Sequence, residues 1–235
     1  MGFTLEKVVP WGRSYEEYIS MFSLSDADLG RRILGCGDGP AGFNAELTHR
    51  GGQVISVDPI YQFSAEQIKG RIKETYETVL NQTRQNQDEF IWTYIKNVDE
   101  LGRVRMEAML QFLTDYPNGK GRYIVGELPS LDFSDKEFDL ALCSHFLFLY
   151  SEHFSTDFHI QSIVELCRVA QEVRIFPLLE LGAKKSRHLG EVIERLGYQG
   201  YGCAVEKVAY EFQKGGNEML RVTSSGRGDV GAESA

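Results

Sequence analysis

Four cysteines, five histidines, two tryptophans and six prolines are a thin supply of residues that staple, ligate or kink a chain of 235 residues. Cys36, Cys143, Cys167 and Cys203 are widely spaced with no C-x-x-C pair. That spacing argues against a zinc site and a disulfide frame, and leaves buried reduced thiols. No two histidines have the i, i+4 spacing of a helical zinc motif, so His145, His153 and His159 with Asp157 are not expected to hold a metal. There is no block of Lys or Arg, and the net charge is -9 with a pI of about 5.1. The counterion release that drives nucleic-acid binding therefore has no footprint, and a small-molecule substrate is favoured. No apolar run approaches membrane-spanning length, and the first thirty residues mix Glu6, Lys7, Arg13, Glu16 and Glu17 with apolar residues. The expectation is a cytoplasmic protein with no membrane partner; nothing in the sequence fixes an oligomeric state.

With 42% hydrophobic and 25% charged residues, the chain can bury one sizeable α/β core. Residues 31–58 read as a nucleotide-binding start. Ile33-Leu34 and Val54 to Val57 are short apolar runs typical of adjacent buried parallel strands. Between them Gly35, Gly37 and Gly39 form a loop that permits positive φ and lets a ligand touch backbone. A helix is expected from about Pro40 to His49, stopped by Gly51-Gly52. The second strand ends in Asp58, where a carboxylate can accept from a ribose diol or cap a turn. Two glycine spacings overlap. Gly37 to Gly42 fits the dinucleotide pattern G-x-G-x-x-G, whereas Gly35-Cys36-Gly37-Asp38-Gly39 is the tighter G-x-G-x-G.

Upstream, Ser14 with Glu17 forms a capping box before Tyr15, Tyr18, Ile19 and Phe22. Trp11, Arg13 and Tyr18 are candidates either for ligand contact or for an amphipathic cover over a sheet edge. Downstream, one helical face carries Phe63, Ile68, Ile72, Tyr76 and Val79. A second helical stretch carries Ile91, Tyr94, Ile95, Val98, Leu101, Met109, Phe112 and Leu113. The segment 61–121 exceeds the single helix an alternating pattern needs, and it forms either a lid over the site or a hairpin thickening one face. Further strands follow at Arg122 to Val125, Phe138 to Ser144 and Val173 to Leu178. Helices are marked by Phe158 to Ala170 and by Leu189 to Leu196, the latter ended by Gly197. Two last strands, Cys203 to Phe212 and Met219 to Val222, flank a turn at Lys214-Gly215-Gly216-Asn217.

The G-x-G-x-G loop, Gly126-Glu127, the Leu131 to Asp135 turn and the Phe138-Asp139-Leu140 strand together resemble the class I S-adenosylmethionine-dependent methyltransferases. The likeness covers about residues 31–222 in element order. It implies an α/β, Rossmann-like, doubly wound seven-stranded sheet, mostly parallel, with a C-terminal antiparallel hairpin strand and a helical insertion after the second strand. One domain over 1–222, with 61–121 as lid, and a disordered tail over 223–235 complete the expected layout.

The resemblance implies S-adenosyl-L-methionine as cofactor, S-adenosyl-L-homocysteine as product and methyl transfer to a small acceptor. Gly35, Cys36, Gly37 and Gly39 would face the methionine part and Asp58 the ribose. Pro59 and Ile60 would pack on adenine, Glu127 and the Leu128 amide would meet its edge, and Cys143 and Ser144 would lie near the sulfonium. His145 is either a general base or loop surface. The family's acid two residues before the first glycine, which helps anchor the methionine amino group, is replaced by Ile33; Asp38 or an N-terminal residue is the available substitute. Ser144-His145-Phe146-Leu147 lacks the Pro-Pro-aromatic motif of amino-group methyltransferases acting on nucleobases and glutamine. A nicotinamide-dependent oxidoreductase and a non-catalytic cofactor-binding module are the alternatives.

Overall fold

Apolar strands alternate with amphipathic helices in the computed structural model, which describes residues 9–224. The chain opens with α1 (Tyr15–Phe22), started by the Ser14–Glu17 capping box, and α2 (Asp26–Leu29). Then come β1 (Arg32–Cys36), α3 (Phe43–His49) and β2 (Gln53–Val57). Two long helices, α4 (Ala65–Gln85) and α5 (Val98–Asp115), precede β3 (Tyr123–Ile124) and β4 (Phe138–Ser144). They are followed by α6 (Thr156–Val169), β5 (Ala170–Phe176), and the two-residue strands β6 (Leu179–Glu180) and β7 (Lys184–Lys185). Last are α7 (Leu189–Tyr198), β8 (Tyr201–Lys207) and β9 (Glu218–Ser224).

Seven strands form one sheet in the order β3-β2-β1-β4-β5-β9-β8, with β9 antiparallel to both of its neighbours and the other pairs parallel. This is the doubly wound α/β architecture the sequence implied. The central strands β1, β4 and β5 are almost entirely buried, as parallel strands covered on both faces must be. Strand order reverses between β1 and β4, and the register there is tight: Cys36 pairs with both Val57 and Cys143. The carboxyl ends of β1, β2 and β4 therefore stop at one level, and Gly37, Asp58 and Ser144 emerge beside one another. That is the crevice in which open α/β sheets bind ligands.

Several boundaries differ from those expected. Helix α3 starts at Phe43, because Gly39 has φ +54 and Gly42 is the N-cap, which leaves Pro40 in the loop. Gly35 belongs to β1 and not to the loop. Phe63 ends a 3-10 turn (Pro59–Gln62) and is exposed, and residues 90–97 are irregular, because Asn97 caps α5 only after them. Helix α7 runs through Gly197 to Tyr198, and Gly200 with φ +86 follows its end. Strand β8 ends at Lys207, since residues 208–217 leave the sheet to meet the insertion. Thr223 and Ser224 pair within β9, so the sheet outlasts residue 222. The rest of the expected tail, 225–235, lies outside the described residues, as do Glu6 and Lys7. Among the described residues no helix is long and apolar enough to cross a membrane.

The two insertion helices pack closely; a Cβ on Gly102 of α5 would lie 2.5 Å from the Tyr76 hydroxyl of α4. The connection between them is joined to the β8–β9 connection. Ile91 N donates to Phe212 O at 2.7 Å, Lys214 N donates to Glu89 O at 2.9 Å, and the Phe90 and Phe212 rings stack at 4.9 Å. Deeper in, Arg105 of α5 and Glu17 of α1 form an ion pair with both side chains fully buried. Tyr210 donates its hydroxyl to Glu17 Oε1 at 2.8 Å. N-terminal helix, insertion and C-terminal connection thus meet on one carboxylate. Removing that carboxylate leaves Arg105 a buried charge with only the Tyr210 hydroxyl, at 3.4 Å, to accept from it, which is strongly destabilising. We expect Glu17→Ala to lose about 3–5 kcal/mol in denaturant unfolding, with Glu17→Gln less severe because it retains the capping acceptor.

Candidate functional site

The crevice begins with the chain reversal after β1. Gly37 (φ +68) and Gly39 (φ +54) hold left-handed backbone that a side chain would strain, and Gly37 N donates to Val57 O at 3.0 Å. Between them Asp38 folds back over the strand. Its carboxylate sits where a side chain of Gly35 would be: a Cβ there would lie 1.8 Å from Asp38 Oδ2. Gly35 is thus the floor under an acid and does not line the cavity, which corrects the expectation that it faces a ligand. Ile33 and Gly35 share one face of β1 by strand alternation. Ile33 packs in the apolar cluster with Tyr18 and Phe43, and the acid sits two residues further along the strand, over Gly35.

Asp38 is 7% exposed and lines the cavity. Tyr18 Oη donates to its Oδ1 at 2.8 Å and Ser56 Oγ to its Oδ2 at 2.6 Å. Burial pushes its carboxyl up to about 6, with Asp58 adding to the rise, although both hydroxyls favour the ionised form. No cation pairs with it among the described residues. Such a group is poised to receive a positive charge.

Asp58, directly after β2, caps a turn as its sequence position suggested and also holds the glycine loop. Its Oδ2 accepts from Gly39 N at 2.9 Å and its Oδ1 from Ile60 N at 2.8 Å, so it fastens the glycine loop and caps the 3-10 turn. A carboxylate has about four acceptor positions, so each oxygen keeps one free toward the cavity that Asp58 lines. Burial raises its pKa against those two amide bonds. Tyr61 braces the same turn by donating to Gly39 O at 2.8 Å. Pro59, Ile60, Glu127 and Leu128 line the adjoining wall, with Glu127 exposed at the rim and Leu128 buried.

Ser144 and His145 leave β4 on the opposite lip. His145 takes φ +51, donates its amide to Phe176 O at 2.7 Å, and places Nδ1 3.0 Å from Ser144 Oγ. Burial, with Arg13 and Arg105 nearby, holds its pKa well below 6.5, so the ring is neutral at pH 7. Cys143 is different. It is 0% exposed, packs in the core and does not line the cavity, while burial pushes its thiol up to about 12. The expected place of Cys143 near a ligand is therefore corrected: alternation along β4 turns it into the core and turns Ser144 outward. Cys36 lines the cavity at only 2% exposure.

Gly37, Asp38, Gly39, Asp58, Ser144 and His145 border one cavity of about 740 Å³, within the range of small-molecule sites. Its other end is aromatic, with Phe146, Tyr150, Phe176, Tyr210 and Phe212 around Arg13 and His145. Trp11, Arg13 and Tyr18 all line it, so the N-terminal segment forms part of the cavity wall. The roles of Ser56, Phe90, Tyr210 and Phe212 had no signal in the sequence, because they depend on connections folding over the sheet. Glu17 was visible only as a helix cap.

No protein-family model matches the sequence. The uncharacterized protein MJ0045 of Methanocaldococcus jannaschii is 35% identical over 217 residues, which cover 92% of this chain and 96% of that one. Among solved structures, the chain is similar to the PH0226 protein from Pyrococcus horikoshii OT3, with 14% identity over 90% of this chain and 91% of that one and a TM-score of 0.48. It is also similar to magnesium protoporphyrin IX methyltransferase (ChlM) from Synechocystis PCC 6803 with bound SAM, with 13% identity over 90% and 78% of the two chains and a TM-score of 0.46.

The buried acid has a measurable signature. Asp38 takes up a proton near pH 6 when folded and near pH 4 when unfolded, so between those values the folded state holds the extra proton. Through this group, stability rises as pH falls from 6 to 4, and the penalty is fully present above 6. We expect Asp38→Asn to stabilise the free protein at pH 8 by about 1–3 kcal/mol, and to remove that part of the pH dependence in unfolding curves taken from pH 4 to 8.

Proposed function

The chain belongs to the same family as the Methanocaldococcus jannaschii protein MJ0045, and we propose that it is an S-adenosylmethionine-dependent methyltransferase acting on a small-molecule acceptor. The observation that carries this reading is the seat of Asp38: a buried acid at the glycine loop with no cation partner among the described residues, standing over Gly35, two residues along the same strand from Ile33, where the family's usual acid would sit. Asp38 is matched to an ammonium group, and its ionisation is restored when one binds. The free acceptor positions of Asp58 suit a ribose diol, Pro59 and Ile60 offer a face for a flat base, and Glu127 with the Leu128 amide borders its polar edge. The donor and acceptor set fits this cofactor.

When bound, the cofactor supplies a methyl group whose bond to positively charged sulfur breaks as the acceptor's lone pair forms the new one, leaving a neutral thioether. The chain's own work is then alignment and exclusion of water. Ser144 and His145 border the place where the acceptor atom must approach, and the joined connections at Phe90 and Phe212 roof the cavity. As a neutral ring of low basicity, His145 can receive a hydrogen bond or orient an acceptor, and suits one that is already acidic.

The dinucleotide reading is less favoured because the start of α3 is covered. Gly42 N is committed to Arg13 O at 2.9 Å, and Gly12 is so close that a Cβ on it would lie 2.1 Å from Pro40 O. A pyrophosphate needs those first amides open.

Calorimetric titration tests the proposal. S-adenosylhomocysteine is expected to bind, with affinity falling as the pH drops below about 6, where Asp38 takes up its proton. NAD is expected not to bind; tight NAD binding without a response to either sulfur ligand would sink the reading. Asp58→Ala should weaken S-adenosylhomocysteine by at least about tenfold, and should also lower stability by about 1 kcal/mol through the lost cap. Unchanged affinity in that variant removes Asp58 from the ribose role. The insertion, if it is a lid, gains protection from hydrogen exchange over 86–97 when the ligand is added; equal protection leaves it a packing element. Binding without turnover on any acceptor would mark a non-catalytic binding protein.

A further inference from the structure

We propose that the methyl acceptor is an organic anion, an apolar ring-bearing molecule whose carboxylate pairs with Arg13 beside His145; this rests on the methyltransferase reading. The guanidinium of Arg13 lines the cavity. Its one hydrogen bond runs from Nη1 to the Trp11 carbonyl at 2.5 Å, and its Nε is buried with no partner among the described residues. The one carboxylate in its field is already committed. Glu17 Oε2 takes Arg105 and the Ser14 amide, and Oε1 takes the Tyr210 hydroxyl. Two arginines therefore share one acid, which leaves a positive charge facing the cavity. Arg13 is half-buried with its Nε out of solvent, and a carboxylate in the cavity would give that guanidinium the counter-charge it lacks among the described residues.

Position decides which end of the cavity that anion occupies. Arg13 lowers the pKa of His145 and of the Tyr150 phenol, whereas Asp38 is set by burial, Ser56, Tyr18 and Asp58. The charge of Arg13 thus falls on the aromatic end and on Tyr18, whose hydroxyl meets Asp38, but not on Asp38 itself. Burial and the neighbouring Arg105 pull Arg13 itself down to about 10, so it remains a cation at neutral pH. Around it, Phe146, Tyr150, Phe176 and Tyr210 present ring surface that suits a flat apolar body. The weak base His145 is consistent with an acceptor that arrives ionised. The amino-acid end of the cofactor is another source of a carboxylate, and the test separates the two.

Full-length protein saturated with S-adenosylhomocysteine is titrated with 3-phenylpropionate and, separately, with its neutral amide. The acid is expected to bind about tenfold or more tighter than the amide, a gap that shrinks with added salt. Arg13→Gln abolishes the gap, Arg13→Lys keeps part of it, and affinity for S-adenosylhomocysteine changes by less than about threefold in both. Because no acid pairs with Arg13 among the described residues, Arg13→Gln should melt no lower than the parent. Equal binding of acid and amide, no binding of either, or a gap that survives Arg13→Gln overturns the proposal. So does a large drop in melting temperature, which makes Arg13 structural. If Arg13→Gln instead weakens S-adenosylhomocysteine about tenfold and leaves the gap intact, Arg13 serves the cofactor's carboxylate and the acceptor assignment falls. Failure of the parent to bind S-adenosylhomocysteine at all would defeat the methyltransferase reading, a result distinct from these.

Discussion

A carboxylate and a guanidinium with no access to water hold this molecule's upper storey together. Glu17 comes from the N-terminal helix and Arg105 from the insertion, and Tyr210 reaches the same carboxylate from the C-terminal connection. An ion pair of this kind adds little net stability over apolar packing, but it tolerates the loss of neither partner. It therefore fixes where α1, α5 and the 208–217 connection meet, and their meeting place is one wall of the cavity. The backbone bonds that join residues 89–91 to 212–214 extend the same arrangement outward as a roof. Below it the sheet sets a second constraint, because the shared register of Cys36 with Val57 and Cys143 brings three loop starts to one level.

Local geometry and electrostatics reinforce each other at the glycine loop. A side chain at position 35 would exclude the Asp38 carboxylate, and a side chain at position 37 or 39 would strain the turn that aims it. The three glycines thus serve different ends: one makes room and two make the bend. Asp58 links the loop to the next strand through the Gly39 amide, so the acid that suits the sugar also holds the loop that carries the other acid.

Much of this was legible in the sequence, and the parts that were not have a common cause. The strands of the core, the Ser14–Glu17 cap and the antiparallel last strand beside the fifth all follow from periodicity, capping chemistry or the family resemblance. Asp38 was visible as a possible stand-in for the acid missing at Ile33, though its place above Gly35 was not. Gly35 and Cys143 were misplaced because one-residue alternation decides which side of a buried strand faces a ligand, and two-sided burial erases the pattern that would reveal it. Residues 90–97 and 208–212 read as helix and strand from their apolar spacing. In the fold Phe90 and Trp92 pack against Phe212, a tertiary contact no local pattern encodes, and Tyr94 is exposed. Arg105 sat unnoticed within an amphipathic helix for the same reason.

The unpaired charges at positions 13 and 38 also bear on how such a chain drifts over generations. Selection for stability alone would replace each with a neutral residue, since among the described residues neither has a counter-charge of its own. Their persistence in a lineage is thus a record of use, and in relatives that have abandoned the ligand these two positions, more than the glycines that shape the loop, are where the abandonment would first be written.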